Sequence, residues 1–106
     1  MAELEDTGWS FKKVQDDSGA PVFKLIGELD LSNVGSLRSA VDATFDEGPD
    51  RIVFDLSELQ FMDSSGLAML VAVAERIGTV ELLNPRPMIC TLIELTGLSG
   101  LFRITA

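Results

Sequence analysis

From Val22 onward the chain alternates between short apolar runs rich in β-branched and aromatic residues and longer stretches with helical spacing. That alternation leaves few folds open, because strands separated by helices pair in parallel. Val22-Phe-Lys-Leu-Ile26, Ile52-Val-Phe54, Val80-Glu-Leu-Leu83 and Leu101-Phe-Arg-Ile104 read as strands. Between the first two, Val34, Leu37, Val41 and Phe45 recur at helical spacing. Ser32 stands ready to cap that helix, and Gly48-Pro49 stops it. A second helix places Leu67, Leu70, Val71, Ala74 and Ile77 on one face and ends at Gly78. In a third, flanked at its start by Pro85 and Pro87, Met88, Leu92 and Leu95 line one side and Gly97 ends the run. Ahead of these lies a hairpin: Trp9–Val14, the dense turn signal Asp16-Asp-Ser-Gly-Ala-Pro21, then the strand from Val22. Gly27-Glu-Leu-Asp30 reads as a loop. The order ββαβαβαβ predicts an α/β fold, a single small domain over residues 1–106 with a mixed sheet of about five strands.

Composition narrows the function. With 46% hydrophobic residues the chain can build a core without disulfides, and its single cysteine, Cys90, has no internal partner. Cys90 sits among apolar helix residues and reads as packing, as do Trp9 and Phe11 in the hairpin. The net charge is −9, which opposes approach to phosphate backbones and anionic lipid, so neither nucleic-acid nor direct membrane binding is expected. Histidine is absent, which removes the commonest general base and metal ligand together. No cofactor or metal site is expected, and no catalytic residue. Met1-Ala-Glu-Leu-Glu-Asp6 lacks the basic-then-apolar order of a secretion signal. The apolar run from Gly66 to Ala74 falls well short of the roughly 20 residues that span a bilayer. The expectation is a soluble, cytoplasmic monomer.

One segment is not generic: Asp55-Leu-Ser-Glu-Leu-Gln-Phe-Met-Asp-Ser-Ser-Gly-Leu67, where a buried strand runs into Asp-Ser-Ser-Gly at a helix start. It resembles the signature of STAS domains, the family of bacterial anti-sigma-factor antagonists and sulphate-transporter tails. Gly27-Glu-Leu-Asp30, Asn84-Pro85 and Leu95-Thr-Gly-Leu98 stand in the order that family shows, so the resemblance covers nearly the whole chain. Two departures bear on the partner. The stretch from Leu67 to the next strand is about one helical turn short, and the basic residues that often close this helix are reduced to Arg76.

The chemistry of Asp63-Ser-Ser-Gly66 can be read without the resemblance. A serine in the first turn of a helix lies beside unpaired backbone N–H groups and the positive end of the helix dipole. Both serines therefore suit capping, with Asp63 favouring the dipole; equally, a phosphate there would be stabilised. A phosphate adds about −1.5 to −2 units of charge. The resemblance implies that Ser64 is the phosphorylated residue and Ser65 a supporting hydroxyl. Asp30 reads locally as a turn or helix-start aspartate; by resemblance it is the acidic residue at the mouth of the same surface. Asp63 beside a serine suggests a catalytic base, but no third group completes a triad, so its role is read as structural.

The second helix gives a further signal. Leu67, Leu70, Val71 and Ala74 can face the sheet, leaving Ala68, Met69, Ala72 and Val73 pointing elsewhere. Either a neighbouring element covers them or they form a contact patch beside Ser64, and the patch is the reading preferred here. The expected partner-binding residues are accordingly Asp30, Asp63, Ser65, Gly66, Ala68, Met69 and Ala72.

The resemblance implies a binding module that is not an enzyme. Unphosphorylated, it would bind an anti-sigma factor with a serine-kinase ATPase fold and so free a sigma factor for transcription. The kinase would release it by phosphorylating Ser64 with ATP and magnesium, and a serine phosphatase would reset it. The alternative is a regulatory subunit of an ATP-driven membrane transporter. A nucleotide hydrolase is a third class, disfavoured because the chain has neither a Gly-rich phosphate loop with lysine nor a metal-ligand cluster.

Overall fold

The computed structural model describes residues 8–106. Its elements are β1 (Ser10–Gln15), β2 (Pro21–Leu29), α1 (Val34–Phe45), β3 (Arg51–Met62), α2 (Ser64–Arg76), β4 (Thr79–Leu83), α3 (Pro87–Leu95) and β5 (Arg103–Thr105), with a 3-10 turn at Ser99–Leu101 before the last strand. The five strands lie in sequence order across one sheet. β1 is antiparallel to β2, and every later pair is parallel. Three crossovers join adjacent parallel strands, and the right-handed connection such units adopt puts all three helices on one face.

The core between sheet and helices is one cluster built on Phe23, Leu25, Ile52, Phe54, Val80 and Leu82 from the strands and on Leu37, Val41, Leu70, Ile89 and Ile93 from the helices. Phe23 and Phe54, paired in register, stack with centroids 5.7 Å apart, a contact worth about 0.5–1.5 kcal/mol beyond its area. Trp9 and Phe11 pack against this cluster from the hairpin. Val53, though buried, lies outside the cluster, aligned with Val22 and Glu81 on the helix-free face.

Several local expectations change. The loop expected at Gly27–Leu29 continues β2, and the polar stretch after Asp55 continues β3 to Met62. These two strands stay paired through two register shifts, in which β3 carries the extra residues. Gly27 lies at one of them with φ +101, and a Cβ there would collide with the Gly8 carbonyl. Only glycine fits. Ser32 does not cap α1. Its N–H and hydroxyl both go to the Asp30 carboxylate, and Asn33 precedes the helix without a side-chain cap bond. In α3 the buried pair is Ile89 and Ile93; Met88 and Leu95 are exposed. Apolar residues at 88, 89, 92, 93 and 95 offer two faces, and the sheet takes the β-branched one. Gly97 stops α3 as its sequence suggests: Gly97 N–H donates to Glu94 O and Leu98 N–H to Ile93 O.

Candidate functional site

The parallel strands end along one rim of the sheet, and the two segments singled out by the sequence meet there. Leu29 at the end of β2 is in register with Met62 at the end of β3. The Asp63 N–H then donates to the Leu29 carbonyl at 3.1 Å, tying the start of α2 to the turn that follows β2. Asp30 and Asp63 therefore lead adjacent loops.

Each loop is shaped by the same device. In Asp30-Leu-Ser32 one carboxylate oxygen accepts the serine N–H at 3.0 Å and its hydroxyl at 2.6 Å. The Asn33 amide reinforces the turn, its oxygen accepting from Asp30 N–H and its nitrogen donating to Glu28 O. Asp16-Asp-Ser18 and Asp55-Leu-Ser57 repeat the carboxylate-to-serine pattern in the hairpin turn and in β3. In Asp63-Ser-Ser65 the carboxylate accepts the Ser65 N–H at 2.8 Å and the Gly66 N–H at 3.2 Å, which makes Asp63 the N-cap of α2.

Ser64 is the first residue of α2 and is exposed. Its hydroxyl has no hydrogen-bond partner among the described residues. Two of the donors expected to welcome a phosphate are already bonded to Asp63, so the Asp63 carboxylate occupies the position next to Ser64 that an anion would favour. Ser65 is half-buried and Gly66 buried. A Cβ on Gly66 would lie 2.6 Å from Met62 Cγ and 2.9 Å from Leu29 Cδ2, so glycine lets α2 start directly on the strand ends.

The expected outward placement of Met69 is corrected: it is 3% exposed, and Val73 is buried with it. Both line the seam between α2 and α1 together with Arg38, Asp42 and Phe45. The Arg76 guanidinium closes this seam 3.8 Å above the Phe45 ring. Ala68 is exposed and Ala72 half-exposed, so the outward face of α2 runs Ser64, Ala68, Ala72. Sequence reasoning missed two large apolar side chains at the rim. Leu31, inside the Asp30–Ser32 turn, is 77% exposed, and Phe61, one residue before buried Met62, is 40% exposed.

The strands run in sequence order, with no reversal of the kind that opens a crevice at such a rim. A cleft of about 410 Å³ lies at the other end of the strands, between the hairpin turn (Ser18–Ala20) and the Glu47–Arg51 loop. Among the described residues no group of three or more acidic or cysteine side chains is placed to hold a metal ion. None of their helices is long and apolar enough to cross a membrane.

The five-stranded mixed sheet with three helices, in the order ββαβαβαβ, is the fold of solved anti-sigma factor antagonists. The STAS domain family model matches residues 12–106, and the chain belongs to that family. The anti-sigma-F factor antagonist RsfB of Mycobacterium tuberculosis is 37% identical to it over 65 residues, 61% of this chain and 53% of that protein. The chain thus matches only about half the length of this relative. The crystal structure of an anti-sigma factor antagonist from Mycobacterium paratuberculosis superposes with a TM-score of 0.79 at 30% identity, over 91% of this chain and 86% of that one. The Bacillus cell fate determinant SpoIIAA in its phosphorylated form gives 0.73 at 25% identity, over 92% of each chain.

Proposed function

We propose that this chain is an anti-sigma-factor antagonist whose rim binds an anti-sigma factor of the serine-kinase ATPase type, and that phosphorylation of Ser64 releases it. The observation that carries this reading is the free, exposed hydroxyl of Ser64 at the first position of a helix already capped by Asp63. The relatives named as anti-sigma factor antagonists and a related structure in phosphorylated form support it. Ser64, Ala68 and Ala72 form a small-residue helix face that admits close approach, and Leu31, exposed in the turn after β2, is the bulky anchor we add to this contact surface. Asp30 lies at its edge.

A phosphate on Ser64 puts a dianion beside Asp63 at the middle of that surface. The partner must then desolvate or repel it, at a cost of several kcal/mol. The fold itself is little affected, because the dipole at an exposed helix start contributes only about 0.3–1 kcal/mol and repulsion from Asp63 opposes it. A serine phosphatase restores the binding form.

Phosphopeptide mapping after incubation with the anti-sigma factor and MgATP is expected to place phosphate on Ser64. Ser64→Ala is expected to keep its partner and to resist release by ATP. The phosphorylated chain is expected to melt within about 4–8 °C of the unmodified one while losing affinity. Modification confined to Ser65, or binding and melting collapsing together, overturns the proposal. A pull-down with ADP that returns a transporter ATPase in place of an anti-sigma factor does the same.

A further inference from the structure

Asp63 is bonded through its backbone and its side chain alike. Its N–H donates to the Leu29 carbonyl at 3.1 Å, and its own carbonyl accepts the Leu67 N–H at 3.2 Å. One oxygen of its carboxylate accepts from both the Ser65 and the Gly66 N–H. Gly66 rests on Met62 and Leu29 with no room for a Cβ, so the backbone at the cap is held against the strand ends. Among the described residues, the Ser64 N–H is the one first-turn donor left without a partner.

A phosphate on a first-turn serine is ordinarily drawn to such N–H groups and to the helix dipole, which favour its dianion. In this chain it must take them from a carboxylate one residue away that already holds two. Exchanging one anion for the other gains no donors, and seating both puts like charges side by side. The favoured arrangement keeps the Asp63 cap and turns the phosphate away from the helix. Neighbouring elements bring Glu28 and Asp30 from the end of β2, with the Asp30 carboxylate taken up by Ser32, and Arg38 from α1. Arg38 lies in the seam beside Met69, more than a turn along α2 from Ser64. β3 carries no charge between Glu58, which pairs with Lys24, and Met62.

We infer that Asp63 is a positioning residue for the switch: by keeping the helix donors for itself, it holds a phosphate on Ser64 out in solvent, where the partner meets it and a phosphatase reaches it. Asp63 has this role only with Ser64 as the modified residue, as proposed above. The fold then gives the phosphorylated state no stability of its own, which suits a modification that must be both added and removed.

Phosphoserine placed at position 64 during synthesis supplies the probe without any kinase. Phosphorus NMR across pH reads its second ionisation, at low salt where repulsion is least screened. In the natural sequence the midpoint is expected above the usual value of about 6, because the Asp63 carboxylate opposes the second charge. Asp63→Asn keeps a capping oxygen and removes the charge, so the midpoint is expected to fall by about half a pH unit or more. Phosphate is expected to raise the melting temperature of Asp63→Asn and not that of the natural sequence. If Asp63→Asn folds poorly, Asp63→Ser repeats the comparison with a capping hydroxyl. Arg38→Gln, introduced into both chains, is expected to leave the gap between them in place. A natural midpoint at or below about 6, no fall in Asp63→Asn, or a gap that vanishes with Arg38→Gln overturns the assignment of Asp63. Failure of an anti-sigma factor to phosphorylate Ser64 is a separate result, read by the peptide mapping above, and does not move this midpoint.

Discussion

Gly66 shows how tightly a single residue fixes the rim. Its missing side chain leaves room for Met62 and Leu29, both buried at the ends of their strands. Gly66→Ala gains up to about 1 kcal/mol of helix propensity but must push two core side chains aside, which typically costs about 1–3 kcal/mol. The expected outcome in urea unfolding is a net loss of stability; a gain would mean that the strand ends yield to α2. The residues of the α2 start were legible in the sequence. Asp63, Ser64 and Ser65 form a local pattern whose chemistry depends only on sitting at a helix start, which α2 supplies. Leu31 and Phe61 were not legible. Leu31 lies in a turn whose Asp-x-Ser motif says how the backbone bends but not that the middle side chain stays in solvent. Phe61 follows Gln60, which has no partner in β2, so counting alternate residues forward from buried Leu59 would turn Phe61 inward, against what is seen.

At the scale of elements, α2 is buried on two sides, by the sheet through Leu67 and Leu70 and by α1 through Met69 and Val73. Met69→Ala is expected to cost about 2–5 kcal/mol of stability, measured by thermal or urea unfolding. Ala68→Glu, one residue away but exposed, should shift stability by no more than about 0.5 kcal/mol while weakening binding of the proposed anti-sigma-factor partner by about 2 kcal/mol. If the two variants exchange these effects, the assignment of faces is wrong. The order of elements could be read from the sequence because strands and helices each carry their own period. Which faces are covered could not. An unbroken apolar run such as Gly66–Ala74 has no polar residue to mark the outside, and the arrival of α1 over Met69 is a tertiary event with no local signature. The same gap left open which side of α3 the sheet covers.

Across the whole molecule, a polar belt ties the hairpin turn to three strands at the end remote from Ser64. Arg51 donates to Asp16, to the Ser18 hydroxyl and to Glu81, and Glu81 accepts from the Thr105 hydroxyl. The Ser18 hydroxyl bond, then the Arg51 guanidinium, holds the Asp16 carboxyl down to about 2 from its ordinary 3.8. A depressed carboxyl stabilises the fold above its unfolded pKa and ceases to do so as pH falls through its folded one. The stability difference between the natural chain and Asp16→Asn is thus expected to hold at neutral pH and to close between 3.8 and about 2. Urea titrations at stepped pH measure it, and a difference independent of pH would remove Asp16 from this account. The strand order carries a consequence for how the chain is made. Because β1 to β5 lie side by side in the order of synthesis, no strand waits for a later one to be inserted between it and its neighbour. Each new helix-and-strand unit leaving the ribosome finds its edge already in place, and only short loops have to close. Such an order lets the chain assemble from the first hairpin onward, one plank at a time.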